Sequence, residues 1–215
     1  MSSEFVFPLA FSGRLHMLRH GQCRANVKGE FVGRRDLPLT ERGWEQARAL
    51  SRLLEQKISS PPFIVSSPLQ RAFDTARTVA AVWDADVSIE DRFIELDYGD
   101  LEGTSFASLV SSWPPDWVAD PKLSPPNGES NHALAERVLT SLTDHLLRAA
   151  AVSVTDLVIV SHLGPVKAVA QTVLRLSSRE MGRFFLGEAT ESMFLVAEGR
   201  AVLNSWNLSS WQPGM

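Results

Sequence analysis

Leu15-His16-Met17-Leu18-Arg19-His20-Gly21 is the stretch from which the fold of this chain is read. Its largely apolar first four residues suit a strand covered on both faces. The next three put a fixed cation, an imidazole and a bare backbone at the strand's end. Those are parts for holding and attacking a phosphoryl group. Two later stretches repeat the layout: Phe63-Ile64-Val65-Ser66-Ser67-Pro68 leads into a helix carrying Arg71, and Leu157-Val158-Ile159-Val160-Ser161 leads into His162-Leu163-Gly164-Pro165. In an open α/β sheet ligands bind beyond the carboxyl ends of the strands, so Arg19, His20, Arg71 and His162 can converge there. Helix N-termini near Pro68 and Pro165 add partial positive charge at the same edge.

Strands are expected over 14–18, 63–66 and 157–161, with helices between them. Thr40 is a fair N-cap for a helix with Trp44, Ala47, Leu50 and Leu54 at helical spacing. Ser67-Pro68 starts another, whose apolar face is Ala72, Phe73, Ala76, Val79, Ala80 and Trp83. A third runs over 131–150 with Leu134, Val138, Leu142 and Leu146 on one stripe, and Gly164-Pro165 opens a fourth, through Leu174. The pattern then becomes strand-like at 191–197 and 201–207, turned by Glu198-Gly199-Arg200. This order predicts an α/β fold: a single three-layer α/β/α domain over 1–215, with a mostly parallel sheet, right-handed crossovers and an antiparallel edge hairpin. Residues 104–129, with Pro114, Pro115, Pro121, Pro125, Pro126, Trp113 and Trp117, are read as a proline-rich lid within that domain.

Composition narrows the function. The 215 residues carry 21 Lys and Arg against 25 Asp and Glu, a net charge of -4, which argues against nucleic-acid or membrane-surface binding through bulk charge. A single cysteine excludes an intrachain disulfide and fits a reducing compartment. No apolar run approaches the roughly 20 residues of a membrane span, and Phe5 to Phe11 is too short for a signal segment. A cytoplasmic protein is expected. P-loop, Gly-x-Gly-x-x-Gly and Gly-x-Ser-x-Gly patterns do not occur, against NTPase, dinucleotide and serine-hydrolase readings. Cys23 is not a cysteine-phosphatase nucleophile, since the position where such an enzyme needs its arginine holds Gly29. His16 is expected as a hydrogen-bonded core residue; His132 and His145, on a helix, are expected at the surface.

At this point the chain resembles the histidine phosphatase superfamily, also called phosphoglycerate mutase-like. The resemblance is carried by Leu18-Arg19-His20-Gly21-Gln22 with Asn26, by Gly33 through Asp36-Leu37-Pro38-Leu39-Thr40 with Gly43, and by Ser66-Ser67-Pro68-Leu69-Gln70-Arg71-Ala72 with Thr75-Ala76. Glu95 through Gly103, Gly128-Glu129-Ser130 and Val160-Ser161-His162 follow in the family's order. The resemblance implies a phosphatase that hydrolyses a small-molecule phosphomonoester without metal or other cofactor. His20 would become a phosphohistidine, Arg19, Arg71 and His162 would bind the phosphoryl oxygens with help from Asn26, and Glu95 would serve as proton donor and then acceptor. Gly21, Gln22, Gly33, Arg34 and Leu163 complete the expected substrate contacts. Glu95 is chosen by resemblance alone, because Asp91, Asp97 and Asp100 stand nearby.

Three departures from the family pattern stand out. Cys23 replaces a hydroxyl residue, Arg34 adds a cation suited to a second anionic group, and Leu163 narrows the pocket. Trp113, Trp117 and Leu163 together suggest apolar walls and a preference for esters with an aromatic or apolar body over phosphoglycerates. A mutase that returns the phosphoryl group to another hydroxyl, and a non-catalytic phosphate-binding module, are the alternatives. The mutase is poorly supplied with cations, Lys122 and Arg137 being those available. A homodimer remains open.

Overall fold

The computed structural model describes residues 5–108 and 116–211. In chain order the elements are β1 (Gly13–Arg19), α1 (Arg24–Lys28), α2 (Glu41–Glu55), β2 (Phe63–Ser66), α3 (Gln70–Ala80), β3 (Val87–Ile89), α4 (Asp116–Ala119), α5 (Asn131–Ala151), β4 (Asp156–Ser161), α6 (Leu163–Leu174), α7 (Ser178–Met181), β5 (Glu191–Ala197) and β6 (Arg200–Leu208). One six-stranded sheet runs β3-β2-β4-β1-β5-β6. β1 to β4 are parallel, β5 is antiparallel to β1, and β5 and β6 form the hairpin at one edge. The three-residue β3 is too short to leave a readable alternation in the sequence.

Period-two alternation divides the strand side chains between two cores. On one face Leu15, Met17, Leu157 and Ile159 pack under Leu134, Val138, Leu142 and Leu146 of α5 and Val166, Val169 and Ala170 of α6. On the other, Leu18, Ile64, Val158 and Val160 meet Leu50 and Leu54 of α2 and Ala72, Ala76 and Val79 of α3. α2 is capped by Thr40, which accepts from the Gly43 N–H, and α5 by Ser130, which accepts from the Ala133 N–H.

Several sequence readings shift. Trp44, expected on the buried stripe of α2, is 37% exposed. α3 begins at Gln70, not at Ser67-Pro68; the Ser67 hydroxyl is engaged elsewhere, and Asp36 accepts from the Gln70 N–H at 2.7 Å. His145, expected at the surface, is buried on α5. It stacks on Phe63, and its Nδ1 bonds the Ser141 carbonyl at 2.9 Å. It lies seven residues after Val138 and so falls on the apolar stripe. His132 is exposed.

Of the expected lid, Trp113, Pro114 and Pro115 lie outside the described residues. The part that follows is tied to the body. Trp117 packs against Phe31 and Tyr98, with ring centroids 6.4 and 6.0 Å away. The Pro121 and Pro126 carbonyls accept from the His132 and Asp100 N–H groups.

Candidate active site

The strand ends deliver their side chains to one place. The His20 N–H donates to the Ser161 carbonyl at 3.0 Å and its carbonyl accepts from Ala189 at 2.9 Å, so its backbone is clamped between β4 and the turn before β5. Gly21 then passes directly against α2. A Cβ there would lie 2.5 Å from the Gly43 carbonyl oxygen, which admits no side chain.

His20 is buried, and its Nδ1 lies 2.6 Å from the Gly21 carbonyl oxygen. A carbonyl only accepts, so Nδ1 carries the proton and Nε2 presents its lone pair. Arg71, fully buried on α3, donates Nε–H to that Nε2 at 3.2 Å. Its Nη1 and Nη2 are held by the carbonyls of Arg35 and Gly33, both at 2.8 Å. Burial, then the Arg71 and Arg19 charges, hold the His20 pKa well below its ordinary value, so the imidazole is neutral at pH 7. His162 faces it with ring centroids 5.1 Å apart, and the same causes, burial first, depress its pKa. Its Nε2 lies 2.8 Å from the Ser67 hydroxyl, while its buried Nδ1 has no partner among the described residues.

Arg19 donates Nη1–H to the Leu186 carbonyl at 2.6 Å and faces Glu188 at 3.8 Å. Its buried Nε also has no partner among the described residues. Orphaned buried donors are rare. The Arg19 Nε–H is one, and the unpaired His162 Nδ1 is a second in the tautomer whose Nε2 accepts from the Ser67 hydroxyl; beside a neutral imidazole and a buried guanidinium they can cradle an anion.

Glu95 is the neighbouring carboxyl that the structure brings in. It is 4% exposed, and its Oε1 accepts from the N–H groups of Leu96 at 2.8 Å and Gly164 at 3.0 Å, the latter in the first turn of α6. Burial pushes its pKa up, against the pull of those N–H bonds and of Arg71 and Arg19. Arg137 fixes its backbone: it donates to the Arg92, Ile94 and Glu95 carbonyls and bidentately to Glu129, at 2.7–3.1 Å.

The other expected contacts hold the loops. Gln22 receives the Thr40 hydroxyl at 3.0 Å. Asn26 Oδ1 accepts from the Cys23 N–H and thiol, at 2.9 and 3.0 Å. The Gly33 and Arg34 N–H groups bond Glu102 Oε1 at 2.8 and 3.0 Å. Arg34 reaches Asp97 at 3.4 Å and Glu129 at 3.5 Å, so its charge is already answered within the protein. Leu163 packs against the larger core. Sequence reasoning gave no site role to Ser67 and Glu102, although both fall inside the quoted stretches, and did not mark Glu188, a single polar residue with no local pattern. Among the described residues no group of three or more His, Cys, Asp or Glu is placed to hold a metal ion, and no helix is long and apolar enough to cross a membrane.

Known proteins give this geometry its context. The family model for the histidine phosphatase superfamily, branch 1, matches residues 15–209. The chain is 33% identical, over 84% of its length, to a bifunctional protein of Mycobacterium tuberculosis, but covers 49% of it, about half that relative's length. It is 31% identical to the adenosylcobalamin/alpha-ribazole phosphatase of Salmonella typhimurium, covering 93% of this chain and 99% of the other. The solved structure of mycobacterial glucosyl-3-phosphoglycerate phosphatase in complex with VO3 superimposes with a TM-score of 0.80 at 30% identity, covering 92% of this chain and 100% of that one. Family model, relatives and structure converge on one conclusion: the chain belongs to the histidine phosphatase superfamily.

Proposed function

We propose that this chain hydrolyses a small-molecule phosphomonoester through a phosphohistidine on Nε2 of His20. The observation that carries the reading is the fixed tautomer of His20: Nδ1–H is committed to the Gly21 carbonyl, so the nucleophilic lone pair lies on Nε2, where it accepts the Arg71 Nε–H until the phosphoryl group takes that place. In the first step Nε2 bonds to phosphorus and the bond from phosphorus to the ester oxygen breaks. Arg19 and Arg71 balance charge on the remaining phosphoryl oxygens, and His162 adds a hydrogen bond.

Glu95 supplies the proton that the leaving oxygen needs. Its Oε1 accepts the shorter N–H bonds, from Leu96 at 2.8 Å and Gly164 at 3.0 Å, while Oε2 has only the longer branch from Gly164 at 3.3 Å, so the neutral acid is best placed to carry its proton on Oε2. In the second step the Glu95 carboxylate takes a proton from water as the water oxygen bonds to phosphorus. The Nε2–P bond breaks, inorganic phosphate leaves, and His20 and Glu95 return to their starting protonation. Gln22, Asn26 and the Gly33–Arg34 loop shape the surroundings.

Rapid quenching with a phosphorus-labelled ester tests this reading. It expects an acid-labile phosphoprotein and release of free phosphate from the native chain, and neither from His20→Ala. Persistent labelling or normal turnover of His20→Ala overturns it. Phosphate transferred to a second hydroxyl, with none released, would make the chain a mutase instead.

A further inference from the structure

The turn that leads into β5 sets a carboxylate against the phosphate cradle. Its backbone is bonded on both sides of Glu188. Leu186, in the larger core, gives its carbonyl to Arg19 at 2.6 Å, and the Gly187 N–H donates to the Asn207 side chain of β6 at 2.7 Å. The Ala189 N–H donates to the His20 carbonyl at 2.9 Å, and the Thr190 carbonyl accepts from the Arg19 N–H at 3.0 Å. The Thr190 hydroxyl closes the turn on the Gly187 carbonyl at 2.9 Å. Ala189 lies in the left-handed region, φ 47°, which a residue with a Cβ adopts at a cost. Such strain persists only where the surroundings enforce it, and it gathers at functional sites. Leu186, Ala189 and Thr190 are buried, whereas the Glu188 side chain is 28% exposed and held out towards Arg19.

That carboxylate stands at the open edge of the Arg19 guanidinium. Nη1 is spent on Leu186, Nε has no partner among the described residues, and Nη2 has Glu188 Oε1 at 3.8 Å, beyond hydrogen-bond reach. An oxyanion held bidentately by a guanidinium takes two adjacent N–H groups, and Nε with Nη2 is the pair left here. Glu188 therefore faces Arg19 on the edge that would hold a phosphoryl group. It is too distant for a bond of its own and close enough for its charge to act on two anionic oxygens. With His20 and His162 neutral, the cradle's own charges are those of Arg19 and Arg71, and Glu188 offsets one of them. Arg71 is fully buried and Arg19 nearly so, which leaves this field only partly screened by water.

We infer that Glu188 is a selectivity residue: its carboxylate limits how tightly the site holds a phosphate dianion, so that inorganic phosphate is released at the end of turnover and not retained. Free phosphate has only its oxygens to bind with, so the repulsion weighs on it in full, whereas an ester also brings the contacts of its organic part. This inference rests on the phosphatase reading above.

Inorganic phosphate is the probe. Its dissociation constant, by calorimetric titration, is measured for the native chain, Glu188→Gln, Glu188→Ala and Glu188→Asp at low and high ionic strength. Glu188→Gln and Glu188→Ala should both bind phosphate roughly 3–30-fold more tightly, the order expected for one partly exposed charge beside a dianion. High salt should shrink that gain. Glu188→Asp, which keeps the charge one methylene further back, should lie between the native chain and Glu188→Ala. The bonds that shape the turn come from its backbone and from Thr190, so the variants should melt close to the native protein. Unchanged or weaker phosphate binding in Glu188→Gln and Glu188→Ala overturns the role. So does tightening in Glu188→Gln alone, which would be a hydrogen bond from the new amide, or a gain that salt leaves untouched. A native chain that hydrolyses no phosphomonoester overturns the phosphatase reading itself, while the phosphate titration still decides what Glu188 does.

Discussion

Replacing Glu95 by glutamine separates chemistry from architecture at this site. The amide oxygen can accept the same N–H bonds from Leu96 and Gly164 that Oε1 accepts now. Since burial favours the neutral carboxyl, a neutral amide changes the electrostatics little. The variant is therefore expected to melt close to the native protein. Glu95→Ala, by contrast, strips two N–H groups of their partner at ~1–3 kcal/mol each. What the amide cannot do is give up a proton from the position of Oε2. Losing a general acid costs ~10²–10⁴ in rate, about 3–5 kcal/mol of barrier. That loss should fall on alkyl phosphates, whose alkoxide leaves poorly. Nitrophenyl phosphate, whose phenolate departs without protonation, should suffer far less. The pH profile adds a signature. Activity needs His20 neutral, above its depressed pKa, and Glu95 protonated, below its raised one. The alkaline decline seen with alkyl esters should thus disappear in Glu95→Gln. Steady-state kinetics on both ester classes across pH check this. Equal losses on alkyl and aryl esters, or an unchanged alkaline limb, would show that Glu95 only positions and that the proton comes from elsewhere.

Two further outcomes follow from the buried charges. His16 bonds Glu191 at 2.7 Å and Asp156 at 3.0 Å, Arg14 reaches Asp156 at 2.6 Å, and Lys57 bonds Glu191. Burial opposes the charges of His16, Glu191 and Asp156, yet the hydrogen bonds prevail: the His16 pKa is raised, that of Glu191 lowered, and that of Asp156 lowered to about 2. His16 therefore stabilises the fold fully below its unfolded pKa of ~6.5 and loses this as pH rises through its folded value. The carboxylates stabilise it above ~4 and lose this as pH falls. His20 and His162, with depressed pKa values, act in the opposite sense, so the comparison with His16→Leu isolates the cluster: the native advantage in urea midpoint over His16→Leu should shrink as pH rises from 6 to 9, and a constant or growing advantage would contradict this assignment. Arg137→Gln, which gives up the contacts to Glu129 and the carbonyls around Glu95, should cost about 2–3 kcal/mol of stability and lower kcat more than KM. Unfolding curves and kinetics together check this, and full activity at reduced stability would reduce Arg137 to a purely structural tie.

The sequence by itself determined the layered plan and the ends of the strands. Apolar runs such as Leu157 to Val160 and caps such as Thr40 and Ser130 are nearest-neighbour signals, and they specify elements whatever packs on them. Arg19, His20, Arg71 and His162 were legible because each sits at or just past a strand end, where parallel topology makes distant segments meet. The sequence singled out Glu95 from Asp91, Asp97 and Asp100 only through family resemblance; the physical difference, burial against the first turn of α6 through a contact spanning 69 residues, belongs to the tertiary structure. Only the fold placed His145 in a core and spent Arg34 on Asp97 and Glu129. The cause is general to charged and polar side chains. Their protonation and availability depend on desolvation and on partners drawn from far along the chain, quantities that no local pattern of residues encodes.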